Sequence, residues 1–417
     1  MKKQNTAKQK TAKCGNGHIR HRSDGRWEGQ YYFEGERKSI YGSDYDTVRA
    51  DLNDIIAAIV RKTYVDGSTM PLFVYLERWL ENHTKIRPAT RTSYRGYIYN
   101  HFQSSKIGSM PLKKLDLGLL QSFIDNLEVS GRFDGKEGGL SSKTIHNIYT
   151  MLNEAMKEAV YPLKYIPMNP LVAVKKPTVI KTEMRFLEEH EQSRVEDVIL
   201  NYHDVNALII LFDLYCGLRI GELLAVNKKD WASDLSKFKI HSQIQRLTIS
   251  DVEARTDKNS YVPIDVPHNK PIKELKTRLY LGPVKTSTAR RTIFTNEVLR
   301  YAVKKIWAAY ERDGIFNKQG FAFLDRQGYP HDPRTYTDLF KKVMVAANIT
   351  DVNFHALRHT FAVNYAEKTN DYVALKELMG HTDTATTFLY CHARENQKKS
   401  GMDMIGSRLS DAIKDYI

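Results

Sequence analysis

The chain is poor in cysteine and has no long apolar run. Its three cysteines, Cys14, Cys216 and Cys391, make neither a disulfide framework nor a zinc spacing, and this points to a reducing, intracellular setting. The longest apolar run, VNALIILFDLY at 205–215, is interrupted by Asp213 and falls far short of the ~20 residues that a membrane span needs. The basic N-terminus has no apolar stretch behind it, so it does not read as a secretory signal. Asp, Glu and His do not cluster at metal-ligand spacing, and neither a metal nor another cofactor is expected. Acidic residues are also in short supply. Asp and Glu number 49 against 63 Lys and Arg, which leaves a formal charge of +14. An excess of this size implies a polyanionic partner. Without a membrane span or a signal, nucleic acid is the favoured one.

What is present is a globular composition, with 41% hydrophobic residues in 417, enough for two or three cores. Residues 1–16 are polar and basic, with nothing to bury, and read as a flexible arm. Residues 17–62 change pattern. Asp24-Gly25 and Glu34-Gly35 are turn signals between short runs rich in aromatic and β-branched residues. A helical stretch follows, with Val48, Leu52, Ile55, Ile56 and Ile59 at helical spacing. This predicts three strands and one helix, joined to the rest by a linker near 63–69. Residues 70–177 read as about four helices, with a loop at 131–139. A second linker lies within 169–183. Residues 184–417 read as mixed, with helices around a β-rich middle between about 238 and 295. The expected fold class is therefore multidomain and mainly α with β. Lys and Arg interleaved with Tyr and Ser/Thr suit phosphate contacts and stacking. Arg20, Arg22 and Arg26 in the strand module, and Arg91, Arg95 and Lys143 in the helical block, are the candidates for such contacts. For any one of them an ordinary solvated face is the plainer explanation.

The chemistry concentrates in the last block. Residues 381–392 read HTDTATTFLYCH, with Tyr390 between two imidazoles. A tyrosine among apolar neighbours is usually core filling, and a phenol of pKa ~10 is ionised in only about one molecule in a thousand at pH 7. To act as a nucleophile it needs positive surroundings or a base. Candidates lie nearby in sequence. In FHALRHTFAV, His355 and Arg358 are three apart and project from one side of a helix. A planar guanidinium there can hold two phosphate oxygens, and an imidazole beside it can relay a proton. Further upstream, LYCGLRIGELLAV places Arg219 at a turn between two helices, with Glu222 one helical turn on to orient it or to cap. Lys285, in LYLGPVKTSTARRTIF, sits at a polar turn between two strand-like runs, read here as a hairpin tip. A lysine at such a tip is usually solvated, but it can also reach a bound backbone.

Taken in order, Arg219, Lys285, His355 with Arg358, Gly380-His381, Thr386-Thr387 and Tyr390 resemble the catalytic domain of the tyrosine recombinases, the phage integrase family. The intervals from Arg358 to His381 and from His381 to Tyr390 fit the family's usual spacing. Cys391 departs from it, where a threonine is common. The resemblance implies a site-specific DNA recombinase that moves a mobile element without ATP. Tyr390 would attack a phosphodiester and form a 3′-phosphotyrosyl link. Arg219 and Arg358 would hold the non-bridging oxygens and Lys285 would protonate the leaving 5′-oxygen. His355 would act as base towards the tyrosine, His381 would bond the phosphate, and Glu222 would support.

The same resemblance extends upstream. Residues 70–177 resemble the family's core-DNA-binding domain, and 17–62 resemble the arm-binding module of integrases from conjugative transposons. Ile405, Leu409, Ile413 and Ile417, four apart, suggest a final helix whose apolar stripe either folds back on its own domain or, as the resemblance implies, docks on a neighbouring protomer. The implied partners are double-stranded DNA at core and arm sites, further copies of the chain in a tetramer on DNA, and an accessory excisionase-type protein. The implied location is the cytoplasm of a bacterium, at the nucleoid. A topoisomerase-like nicking-closing enzyme and a catalytically dead DNA-binding regulator are the alternatives.

With no metal cluster in the sequence, DNA cleavage should persist in EDTA. DNA affinity should fall steeply between about 50 and 200 mM salt as phosphate contacts are screened. A filter-binding and cleavage assay with and without chelator checks both, and loss of cleavage in EDTA with binding retained would contradict this reading.

Overall fold

The structure is a computed structural model. It describes residues 17–390 apart from 34, 62–65, 67–68, 180–183 and 268–269, together with residues 402 and 405. The basic arm at 1–16, Cys391, most of the linker at 63–69 and the stripe residues Leu409, Ile413 and Ile417 lie outside the described residues. The chain divides into two compact units, Met1–Lys181 and Thr182–Ile417.

The first unit opens with strands β1 (His18–His21), β2 (Trp27–Phe33) and β3 (Glu36–Gly42), an antiparallel sheet in that order. Gly25, at φ +81°, makes the β1–β2 turn that an L-residue would resist. Helix α1 (Tyr45–Val60) starts at Asp44, whose carboxylate accepts the Thr47 N–H at 2.8 Å. Tyr31, Ile40, Val48 and Leu52 form a small core between sheet and helix. Successive strand residues face opposite sides, and Glu28 on the other face is nonetheless buried. Burial pushes its carboxyl up, but hydrogen bonds from Ser39 and Arg20 outweigh that and bring it down to about 2. This carboxylate holds Arg20 at 2.7 Å and Arg22 at 3.4 Å. Arg26 is paired with Asp24 at 2.8 Å and, like Arg22, lies over the Tyr41 ring.

Four helices follow, α2 (Leu72–Asn82), α3 (Pro88–His101), α4 (Leu117–Ser130) and α5 (Ser142–Val160). Pro88 opens α3 at the position where its missing N–H costs nothing. Asp116 and Ser141 cap α4 and α5. Leu72, Leu76, Ile98, Phe102, Ile145 and Leu152 anchor their common core. Arg91 does not fit its expected role as a DNA contact. Only 3% of it is exposed, and its Nη1 donates to the Leu80 carbonyl at 2.5 Å and the His83 carbonyl at 3.1 Å. Arg91 thus closes the C-terminal end of α2, whose last carbonyls lack helical partners. Arg95 is half-buried on α3, and Lys143 is exposed on the first turn of α5.

The second unit contains α6 (Glu189–Leu200), α7 (Leu208–Leu214) and α8 (Ile220–Leu224), then strands β4 (Lys237–Ile240) and β5 (Ser242–Thr248). After α9 (Ile249–Glu253) come β6 (Val262–Pro263), β7 (Thr277–Pro283) and β8 (Arg291–Phe294). Helices α10 (Glu297–Arg312), α11 (Pro333–Ala346), α12 (His355–Thr369), α13 (Tyr372–Met379) and α14 (Thr384–Phe388) complete it. Phe212, Trp231, Phe238, Phe323 and Phe340 belong to its main core. As expected, the fold is mainly helical with small antiparallel sheets. The expected hairpin around Lys285 does not form. β7 pairs with β5 and β6, whereas β8 pairs with β4, because alternation marks strands but does not choose their partners. Among the described residues no helix is long and apolar enough to cross a membrane.

Replacing Arg91 with Ala removes the donor from two carbonyls. Charged hydrogen bonds of this kind contribute about 1.5–3 kcal/mol, so Arg91→Ala should lower the melting temperature by several degrees. At low temperature the folded variant should bind DNA as wild type does. Calorimetry beside a binding assay checks this, and unchanged stability with weakened binding would return Arg91 to the DNA surface.

Candidate active site

Three turns of chain meet at one guanidinium. Arg358 lies on the first turn of α12, where Asn353 accepts the His355 N–H at 2.9 Å. Only 1% of Arg358 is exposed. It donates to the carbonyl of Gly217 at 2.7 Å and to that of Met379, and its Nη2 lies 3.2 Å from His381 Nε2. Gly217 has φ +65°, and a Cβ there would meet the Phe361 ring at 2.4 Å. Glycine is thus required both for the turn and for the close approach of α12. Gly380 ends α13 at φ +61°, where a Cβ would lie 3.1 Å from the Ala289 Cα. This left-handed cap delivers His381 to the site.

A guanidinium can only donate, so His381 Nε2 accepts from Arg358. Nδ1 then carries the proton and donates to Thr387 Oγ1 at 2.9 Å. Both ring nitrogens are therefore engaged within the protein. The expected direct bond from His381 to a phosphate does not fit this arrangement. Burial, and then Arg358 and Arg219, hold His381 down at about 4, so it is neutral at pH 7.

Arg219 precedes α8 and pairs with Glu222 at 2.7 Å. Glu222 is buried, and its other oxygen takes Arg291 Nη2 at 2.9 Å. Burial raises the Glu222 carboxyl, but Arg291 and then Arg219 outweigh it, so it stays ionised. Arg291 also donates to the Leu378 carbonyl at 2.6 Å and the Ala289 carbonyl at 2.9 Å. Burial, and then Arg219, lower Arg358 to about 10. Arg219 and Arg291 thus share one carboxylate, with the Arg358 guanidinium a third cation nearby, and positive charge is left over for an anion.

Tyr390 follows α14 and is 6% exposed. Its ring lies parallel to that of His381 at 6.3 Å. Burial raises its phenol, and Arg358 and Arg219 pull the other way without cancelling the rise. Its hydroxyl lies 2.8 Å from Nδ1 of His359. The expected contact with His355 is therefore replaced by one from the imidazole a turn further along α12. His355 is exposed, and its ring packs edge-on against His359 at 4.5 Å. Lys285 is exposed in the bend after β7, and Gln243 holds the end of that strand through the Pro283 carbonyl at 2.8 Å.

The sequence reading missed two residues. Arg291 follows the exposed Arg290, and strand alternation could have sent one of the two inward. His359 is four residues from His355, on the same helix face.

The phage integrase family profile matches residues 185–397. The XerC-like tyrosine recombinase of Caldanaerobacter subterraneus subsp. tengcongensis is 24% identical over 382 residues, 88% of this chain and 91% of that protein. Among solved structures, a fragment of the Tn1549 transposon integrase in complex with a circular intermediate DNA superposes with a TM-score of 0.63 at 20% identity, over 81% of this chain and 99% of that one. A lambda integrase tetramer bound to a Holliday junction gives 0.52 at 13% identity, over 91% of this chain and 96% of that one.

Asp213 supports this site from below. It is fully buried, and its Oδ1 accepts the Leu218 N–H at 2.9 Å. Its Oδ2 has no hydrogen-bond partner among the described residues. Burial raises its carboxyl from 3.8 to about 8. The native state therefore holds a proton that the unfolded state has released, and stability must fall as pH rises through this window. The protein without DNA should lose up to about 1 kcal/mol per pH unit between about pH 7 and 8, where the histidines of the unfolded chain, at about 6.5, are mostly neutral. Asp213→Asn should abolish that slope, and thermal melts across the window check it.

Proposed function

The chain belongs to the phage integrase family, the tyrosine recombinases that cut and rejoin DNA through a tyrosine intermediate, and we propose that Tyr390 is that tyrosine. The observation that carries the proposal is the place of its hydroxyl. It meets the His359 imidazole at 2.8 Å and feels the charge of Arg358 and Arg219, which Glu222 balances only in part. On this reading Tyr390 Oη attacks a DNA phosphodiester, a P–O bond forms to tyrosine, and the 5′-oxygen leaves. The bond energy stays in the adduct, so a 5′-hydroxyl from a second strand can reverse the step without ATP.

Each group has a physical part in this scheme. Arg219 and Arg358 stabilise the charge that builds on the non-bridging oxygens. Three of the N–H groups of Arg358 are held by the protein, so two of its five remain for phosphate. Arg358 and Tyr390 are both nearly closed off from solvent, so phosphate binding includes an opening step. His381 positions Arg358 and the Thr387 segment. Glu222 and Arg291 fix Arg219, and His355 donates to the phosphate from the accessible edge of the site. Lys285, on its exposed bend, protonates the 5′-oxygen.

The remaining parts of the proposal concern assembly. Arg20, Arg22 and Arg26 suit the strand module to arm sites, and Arg95 and Lys143 suit the helical block to core sites. The element moved is a mobile one, in line with the transposon and phage integrases that share the fold. Four protomers act together on DNA, as in the lambda integrase tetramer, with the C-terminal segment exchanged between neighbours and an excisionase-type protein setting direction.

The test uses a nicked duplex carrying the terminal repeat of the encoding element. Tyr390→Phe should bind it within about threefold of wild type and form no covalent adduct. Lys285→Ala should slow cleavage roughly 10²-fold or more, and a 5′-bridging phosphorothiolate, whose sulfur leaves without an acid, should restore it. An adduct on the Tyr390→Phe protein, or equal slowness of Lys285→Ala on both substrates, contradicts the assignments.

A further inference from the structure

The Tyr390 hydroxyl has one hydrogen-bond partner among the described residues, Nδ1 of His359 at 2.8 Å. A buried hydroxyl rarely leaves its proton unpaired. If Nδ1 carried a hydrogen, the phenol would have to accept, and its own proton would have no acceptor. The satisfied arrangement has the phenol donating to the bare Nδ1, with the ring proton on Nε2. In that arrangement the O–H bond already points along the path that the proton must take when the oxygen turns nucleophile.

The imidazole is held for this task. His359 directly follows Arg358 on α12, and the carbonyls of Gly217 and Met379 fix that turn through the guanidinium. The His355 ring stands edge-on against His359 with centroids 4.5 Å apart, which restricts rotation of the ring. The groups facing His359 are thus His355 and Arg358 on its own helix, and Tyr390 on the segment after α14. Burial, and then the charge of Arg358, lower its tendency to protonate. It is empty and ready at neutral pH, and an arriving phosphodiester anion offsets the guanidinium and makes it a better base.

We propose that His359, and not His355, is the catalytic group that takes the proton from Tyr390 during strand cleavage and returns it during rejoining. In the forward step the Tyr390 O–H proton passes to Nδ1, the tyrosine O–P bond forms, the P–O5′ bond breaks, and Lys285 gives its proton to the 5′-oxygen. The step ends with an imidazolium and a neutral lysine, and each proton retraces its path on rejoining. His355 is then left free to face the phosphate. The inference rests on Tyr390 being the nucleophile.

The experiment measures cleavage of the same nicked duplex by the full chain as a function of pH, for wild type, His359→Asn and His359→Gln, each with its DNA binding and melting curve. Both variants should bind DNA and cleave roughly 10²-fold more slowly. They should lose the acid limb that protonation of His359 imposes on the wild-type pH–rate curve. The 5′-bridging phosphorothiolate should not restore them, because the defect lies on the nucleophile's side. A fluorotyrosine at position 390, whose phenol gives up its proton more easily, should restore them in part. A folded His359→Asn or His359→Gln protein that cleaves within threefold of wild type, keeps the acid limb, or gains nothing from fluorotyrosine would reduce the bond to a resting contact and overturn the proposal. If Tyr390→Phe still forms the adduct, the identity of the nucleophile fails instead, whatever His359 does.

Discussion

The buried guanidinium of Arg358 is the constraint on which the rest of the site depends. Taking a charge out of water is expensive unless it is paired and hydrogen-bonded. Here two backbone carbonyls, at Gly217 and Met379, and the His381 ring meet that requirement. These acceptors come from segments far apart in the chain. The guanidinium can be satisfied only when the turn after α7, the start of α12 and the end of α13 come together. The same meeting brings Arg219 and His381 to one place. Glycines at 217 and 380 permit the approach, because a Cβ at either would press on Phe361 or Ala289.

Charge balance gives the assembly its chemical character. Glu222 bridges Arg219 and Arg291 and remains ionised between them, while burial keeps a proton on Asp213 at neutral pH. The carboxylates therefore do not cancel the three guanidiniums. Preorganised positive charge in a poorly hydrated site costs no reorganisation when a phosphate acquires charge in the transition state. The neutral imidazoles fit the same scheme. Burial, and after it the cations that would bind phosphate, keep His359 and His381 unprotonated, so one can accept a proton and the other can hold an arginine.

Much of this was legible in the sequence, and the failures have physical causes. Arg219 and Glu222 are in contact, as their spacing allowed, and so are Arg358 and His381, which only the family resemblance had grouped. The number of helices between residues 70 and 177 followed from apolar periodicity. Arg91 was misread because it stands among tyrosines and threonines that look solvated, although its spacing to Ile98 and Phe102 puts it on the buried stripe of α3. The hairpin around Lys285 was misread because the segment between β5 and β7 returns the chain to β5, a long-range pairing that no local pattern records. The contact with Tyr390 falls to His359 and not to His355, since the choice between imidazoles one turn apart depends on where Tyr390 lies.

The most direct test of the account is to map the covalent adduct itself. The protein is trapped on a nicked duplex carrying the element's terminal repeat, digested, and the nucleotide-bearing peptide is sequenced by mass spectrometry. The account predicts a single modified residue, Tyr390, joined to a 3′-phosphate, with a free 5′-hydroxyl on the other strand end. A nucleotide on any other residue, or a link to a 5′-phosphate, would contradict it.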